Sequence, residues 1–190
     1  MLILEGADNL GKTNAAMRLV QIAETYQLND SEFPVYYSHM SRPNKFFDHH
    51  SHFLDMISQY AVQDRFHLGS LVYQQDVMDE AKLRVIEGWL LSVGSMTCVI
   101  ATDDETWYEN HLAATAAEKP EMYRIEKIIE ANQKYLSMIG VGAHIRNLEA
   151  QPHVDHSYIV NGRNGFVSDA ILQHWLHEWF RRLHYVAPNM

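Results

Sequence analysis

The chain begins with four apolar residues, "MLIL", and runs directly into "EGADNLGKTN" at positions 5–14. No other stretch constrains the fold so strongly. Gly6, Gly11, Lys12 and Thr13 fit G-x-x-x-x-G-K-[ST] without a gap. A loop of that form wraps so that successive backbone N–H groups face one anion, and the helix after it points its positive end at the same place. The geometry needs an apolar strand before the loop and a helix after it. Both are legible here. Leu2–Leu4 reads as a short buried strand, and "KTNAAMRLVQIAETY" places Ala16, Leu19, Val20, Ala23 and Tyr26 at helical spacing. In such a loop Gly6, Asn9, Gly11, Lys12, Thr13 and Asn14 line the phosphates of a nucleotide. Lys12 reaches the β- and γ-phosphates, and the Thr13 hydroxyl ligates Mg²⁺. The expected cofactors are ATP and Mg²⁺.

Beyond this loop, strand and helix patterns alternate. "FPVYYSH" reads as a second strand, and "AVQDRF" as a third that ends on the charged pair Asp64–Arg65. "NKFFDHHSHFLDMISQY" has an apolar face consistent with a helix. "DVMDEAKLRVIEGWLLSVG" is an amphipathic helix closed by Gly94, and "MTCVIAT" is a buried strand. "DDETWYENHLAA" opens on acids, as a helix start prefers. "PEMYRIEKIIEANQKYLSMIG" is a long helix between Pro120 and Gly140. "HSYIVNG" is a last strand, and "SDAILQHWLHEWFRRLHYV" a last helix capped by Ser168 or Asp169. This alternation implies an α/β fold with a parallel five-stranded sheet flanked by helices on both faces, in one domain over residues 1–190.

Composition narrows the setting. No apolar run approaches the roughly 20 residues that a membrane-spanning helix needs, and "MLILEG" lacks the basic flank of a signal peptide. The expected location is cytoplasmic, with no membrane partner. The formal net charge of −9 argues against a broad electrostatic footprint on duplex DNA. Cys98 is the only cysteine, so no internal disulfide forms, and "SMTCVIA" reads as the setting of a buried inert thiol.

The form E-G-x-D-x-x-G-K-T, with Asp8 inside the loop, resembles the thymidylate kinase family of P-loop nucleoside monophosphate kinases. "SRPN" at 41–44 is similar to that family's Arg-x-Pro segment. "DRFHLGSLVYQ" at 64–74 resembles its Asp-Arg-Tyr/Phe element, and "YRIEKIIEANQKYLSM" its long helix after the lid. The likeness touches most of residues 1–140. "DRFHLGSLVY" also resembles P-loop kinases encoded by tailed bacteriophages, which would place the chain in an infected bacterium.

The resemblance implies a P-loop NTPase fold and ATP-dependent transfer to a deoxynucleoside monophosphate, thymidylate or a modified pyrimidine analogue. It implies that Asp8 meets the 3′-hydroxyl of the acceptor, that Asp64 stands near the metal and its water, and that Arg65 and Arg42 grip the acceptor phosphate. Phe46, Phe47 and Phe53 compete to stack on the acceptor base, and Tyr73 and Gln74 reach its edge or sugar. Asn161, Gly162 and Arg163 lie where the donor adenine sits, with Arg163 stacking on it. A lid arginine is expected near 109–124, where only Lys119 and Arg124 are available, with Arg18 as a substitute. Family members are commonly homodimers. Glu5, Asp8 and Asp64 are the carboxylates that the motifs supply.

Two other functions compete. One moves the acceptor into a polymer, 5-hydroxymethyluracil within DNA. The phage-like segment favours it, and Asp8 disfavours it, because a 3′-hydroxyl is esterified inside a strand. The other is a nucleotide-binding module without turnover. Smaller clusters carry less. "DHHSHFLD" at 48–55 sets His49 and His52 on one helix face, which reads as a solvated helix end more readily than as a zinc site. "PHVDH" at 152–156 reads the same way. Asp103 follows a strand, where a metal-binding acid can sit, although "DDETWYE" reads first as a helix start.

Overall fold

The computed structural model describes residues 1–25, 34–40, 53, 56–58, 60–73, 78–104, 106–111, 125–141 and 151–186. Strand β1 spans Leu2–Gly6 and is buried throughout. An unbroken apolar run is what a strand covered on both faces requires. Helix α1, Lys12–Thr25, buries Ala16, Leu19 and Ala23 as its spacing predicts, together with Ala15 and Ile22, while Val20 is only partly buried and Tyr26 lies outside the described residues. Strands β2, Tyr36–His39, and β3, Ala61–Asp64, come next. Helices α2, His67–Tyr73, and α3, Glu80–Ser92, lead to β4, Met96–Ala101. A short helix α4 covers 106–111, followed by α5, Ile125–Met138. Strand β5 is His156–Ile159, and helix α6 is Asp169–Val186.

The five strands are all parallel, in the order β2-β3-β1-β4-β5. The fold is α/β with helices on both faces, as the alternation implies. Helices α1 and α6 pack together on one side, while α5 and α2 meet on the other. The edge strands β2 and β5 are half-exposed, and the central β1, β3 and β4 are buried.

Connections run from β1 to β2 and β3 on one side, then to β4 and β5 on the other. Strand order therefore reverses at β1, and a crevice opens beyond the strand ends at such a point. The loop 7–11 leaves β1 at that place. Gly6 has φ 147°, and a Cβ there would lie 2.0 Å from the Ile100 carbonyl oxygen. Only glycine lets the loop leave the sheet so close to β4.

No helix among the described residues is long and apolar enough to cross a membrane. Cys98 is buried in β4, and burial pushes its thiol pKa well up, as an inert core thiol requires. Phe53 is wholly buried with its ring edge-on to Phe66 at 5.0 Å. It is a core residue, which removes it from the candidates for base stacking. Arg42, Phe46, Phe47, His49, His52, Gln74, Lys119, Arg124 and residues 112–124 of the lid-like segment lie outside the described residues.

Candidate functional site

Residues Asp8, Asn9, Gly11, Lys12, Thr13, Asn14 and Arg65 line a cavity of about 400 Å³ at the mouth of the β1–α1 loop. Six of these come from the opening motif, and Arg65 comes from the end of β3. The loop turns on Asn9 at φ 61° and Gly11 at φ 78°. Asparagine tolerates the left-handed region better than most side-chain-bearing residues. Lys12 is buried, and its ammonium donates to the Ala7 carbonyl across the loop. Burial lowers its pKa to about 8, and the Asp64 and Glu5 carboxylates pull it partly back. An ammonium held in a desolvated turn is poised for an anion, which would restore its ordinary basicity.

Thr13, on the first turn of α1, donates its hydroxyl to Asp64 Oδ2 at 2.6 Å. Two residues of β2 reach the same oxygen. The Tyr37 hydroxyl donates at 3.4 Å, and His39 Nδ1 lies 3.4 Å away. Register explains this convergence, because His39 pairs directly with Asp64 and Tyr37 stands two residues earlier on the same face. Asp64 is 1% exposed, and its Oδ1 has no hydrogen-bond partner. A buried carboxylate oxygen with a free lone pair, beside a threonine hydroxyl, fits a hydrated Mg²⁺. Thr13 and Asp64 are the residues that would hold it. Among the described residues, no cluster of three histidine, cysteine or acidic side chains is set to bind a metal unaided. In the "PHVDH" segment His153 and Arg182 both contact Asp155, which ties α6 to the start of β5.

Arg65 does not pair with Asp64. It adopts φ 66°, its N–H donates to Leu4 O at 2.9 Å, and its guanidinium meets Asp8 Oδ1 across the cavity mouth. Asp8, in the loop, and Arg65, at the end of β3, are thus brought together.

Glu5 is fully buried and committed elsewhere. Its Oε1 accepts from Phe66 N at 2.8 Å and Gly69 N at 3.1 Å, and its Oε2 from the Tyr135 hydroxyl at 3.1 Å. It is not a free site carboxylate, because three donors, from the β3–α2 bend, α2 and α5, consume it. Asp103 accepts from Asn161 Nδ2 at 3.0 Å and so ties the β4 and β5 ends together. Asp104 caps α4, accepting from Thr106 N at 3.0 Å. Tyr73 closes α2, and its phenol adds to the effect of burial in pushing the Tyr108 hydroxyl pKa well up.

A second cavity of about 280 Å³ shares Gly11 and Asn14 with the first and continues over Ala15, Arg18, Phe166, Val167, Asp169 and Leu172. Phe166 is half-exposed and leans on Gly11, so closely that a Cβ there would lie 2.8 Å from its ring. Trp107 supports Phe166 edge-on at 5.2 Å and stacks on His111 at 3.9 Å. Arg163 is exposed on the turn 161–164, with its N–H bonded to Asn161 Oδ1, and it does not line this cavity. Arg18, the sequence's substitute for a lid arginine, lines this second cavity and is paired with Asp169 of α6 at 2.6 Å.

Phe166, Tyr37 and His39 were not singled out by sequence. The period-2 alternation of "YYSH" marks Tyr37 and His39 as one face, but nothing in it says which strand lies beside them.

No protein-family profile matches the chain, and no curated protein matches it in sequence. A solved structure does share its fold, the YorR protein from Bacillus subtilis in complex with phosphorylated GDP. The TM-score is 0.61, over 93% of each chain, at 21% sequence identity.

Proposed function

We propose that the chain is an ATP-dependent nucleotide kinase that transfers a phosphoryl group to a deoxynucleoside monophosphate, thymidylate or a modified pyrimidine nucleotide. The observation that carries this reading is the arrangement of cations around one cavity. Lys12 stands under the motif loop, and Arg65 faces it from β3. A donor's terminal phosphates fill the loop, and an acceptor phosphate displaces Asp8 from Arg65. A planar multi-donor guanidinium suits that second anion. The YorR structure, of the same fold, holds phosphorylated GDP, which supports a nucleotide in this crevice.

Phosphoryl transfer asks the protein mainly for alignment and charge neutralisation. Lys12 and the loop amides hold the donor phosphates in line. When bound to Thr13 and Asp64, Mg²⁺ neutralises charge on the transferred group. Phe166 offers a face for the donor base, and Arg163, on the turn 161–164, stacks on that base when the nucleotide is bound. Arg124, or Lys119, supplies the remaining cation from the lid-like segment.

The commitment of the carboxylates bears on the acceptor. A hydroxyl acceptor benefits from a carboxylate that takes its proton. Here Glu5 holds backbone donors, Asp64 holds Thr13, and Asp8 holds Arg65. A phosphate oxygen is already ionised and needs no such base, which supports a monophosphate acceptor. A second reading places the acceptor in DNA as a hydroxymethylated pyrimidine. One observation favours it: Asp8 is bound to Arg65, so a strand with an esterified 3′-oxygen loses no partner at Asp8.

The test is a labelled-ATP assay with each free deoxynucleoside monophosphate, then with plain and 5-hydroxymethyluracil-containing DNA. Label in a free nucleotide is the expected result. Label only in DNA replaces it with the second reading, and nucleotide binding without transfer leaves a non-catalytic module.

A further inference from the structure

The β3–α2 bend that carries Arg65 is held by buried side chains with no part in the chemistry above. Arg65 has φ 66°, a conformation that costs a residue with a side chain roughly 1–2 kcal/mol and persists only where its surroundings impose it. Four backbone polar groups at and just after the bend have specific partners. The Arg65 N–H is taken by Leu4 O at 2.9 Å. Its carbonyl accepts from Gln63 Nε2 at 3.0 Å. The next donor, Phe66 N, and that of Gly69 both enter Glu5 Oε1. Gln63 and Glu5 are each fully buried on β3 and β1, and Ile3 pairs with Gln63, so the two polar side chains lie on one face of neighbouring strands. Their burial is costly without such partners.

The clamp extends to another helix. The other Glu5 oxygen accepts from the Tyr135 hydroxyl, also fully buried, on α5. Gly69 lies against the same pair, since a Cβ there would stand in ordinary contact with Glu5 Oε2 at 3.4 Å and with the Tyr135 hydroxyl at 3.7 Å. One chain of hydrogen bonds thus joins α5 to the turn that aims Arg65: Tyr135 to Glu5, and Glu5 to Phe66 and Gly69.

We propose that Glu5, Gln63 and Tyr135 are positioning residues that hold Arg65 in its left-handed turn, so that its guanidinium faces the anion cavity. This rests on the reading that Arg65 grips the acceptor phosphate. Tyr135 is not among the residues that line the cavity, and its hydrogen bond reaches the bend through Glu5. Its removal therefore weakens acceptor binding and leaves the donor site intact.

The experiment compares Tyr135→Phe, Arg65→Ala and the double variant, with Mg-ATP as donor and whichever of dAMP, dCMP, dGMP and dTMP is turned over fastest. Tyr135→Phe should raise the acceptor KM about three- to tenfold, as expected for one lost hydrogen bond, with the ATP KM unchanged. In the Arg65→Ala background it should add nothing, because the group it positions is gone. Equal effects of Tyr135→Phe in both backgrounds, or a parallel fall in donor and acceptor affinity, would mean general packing and overturn the proposal. An Arg65→Ala variant with unchanged acceptor KM would instead overturn the reading of Arg65 itself. Gln63→Met, which removes the donor to the Arg65 carbonyl at similar volume, should reproduce the acceptor-only pattern. Should Tyr135→Phe not fold, absence of that pattern from Gln63→Met kinetics decides against the clamp.

Discussion

The Thr13 hydroxyl donates to Asp64 Oδ2 at 2.6 Å, joining the first turn of α1 to the end of β3. The two residues are 51 positions apart and meet because β3 lies beside β1, whose loop feeds α1. Asp64 Oδ1 is left buried without a partner. Asp64→Asn keeps the shape and removes the charge. Turnover at saturating Mg²⁺ should fall about 10²-fold or more, the scale of losing one preorganised electrostatic group. Metal-free nucleotide should still bind with nearly the parent affinity. Steady-state kinetics over a Mg²⁺ titration, with calorimetry in chelator, checks both halves.

Lys12 gives a pH signature with a definite sign. Its pKa is lowered to about 8, chiefly by burial. A bound polyphosphate favours the ammonium and raises that value again. Nucleotide binding should therefore take up protons near pH 8 and take up few at pH 6, where Lys12 is already charged. Affinity should be flat below about pH 7 and fall as pH rises through 8. Calorimetry in two buffers of different ionisation enthalpy, with metal-free nucleotide, measures the uptake directly. Proton release at pH 8, or no uptake, would contradict the assignment.

Gly11 and Phe166 are coupled by space. Gly11 has φ 78°, and an added Cβ would lie 2.8 Å from the Phe166 ring. Gly11→Ala carries two separate costs: the left-handed backbone, roughly 1–2 kcal/mol, and the clash. Phe166→Ala removes only the second. Gly11→Ala should weaken nucleotide binding strongly, and Phe166→Ala should weaken it mildly if the ring carries the donor base. The double variant should be better than the product of the two single effects, because removing the ring relieves the clash. Titration of the four proteins with one fluorescent nucleotide gives the cycle.

How much of this was legible in the sequence follows from how local each feature is. The loop 6–13, its flanking strand and helix, and the parallel sheet are written in spacing and apolar runs over short windows. The Asp64–Arg65 pair was marked by its place at the end of an apolar strand. Its partners were not, because they depend on strand order. Glu5 sits in the motif and looks like a site acid, yet its donors come from residues 66, 69 and 135. Phe53 is one of three competing candidates for base stacking, and its packing against Phe66 places it in the core. Phe166 lies in "NGRNGFV", which reads as a loop, and only the return of α6 against α1 brings it onto Gly11. Burial partners set by long-range packing are invisible to periodicity.

The end of β4 supplies a stability prediction of the same kind. Asn132, on α5 and 4% exposed, accepts from Thr102 N at 2.9 Å and donates to Thr102 O at 2.8 Å. The side chain mimics a strand partner for one residue, satisfying both of its backbone groups where the ladder stops. Asn132→Ala strands a buried N–H and a buried carbonyl together. The expected loss is about 2–4 kcal/mol, since each unsatisfied group costs roughly 1–3 kcal/mol. Asn132→Asp keeps the acceptor, loses the donor, and sets a carboxylate against the Thr102 carbonyl, so it should not rescue. Urea denaturation should show a lower midpoint with an unchanged slope, as befits a local defect in the folded state. Saturating nucleotide should raise both midpoints by a similar free energy, because Asn132 contacts no part of either cavity. A variant as stable as the parent would show that Thr102 finds other partners and that the contact is incidental.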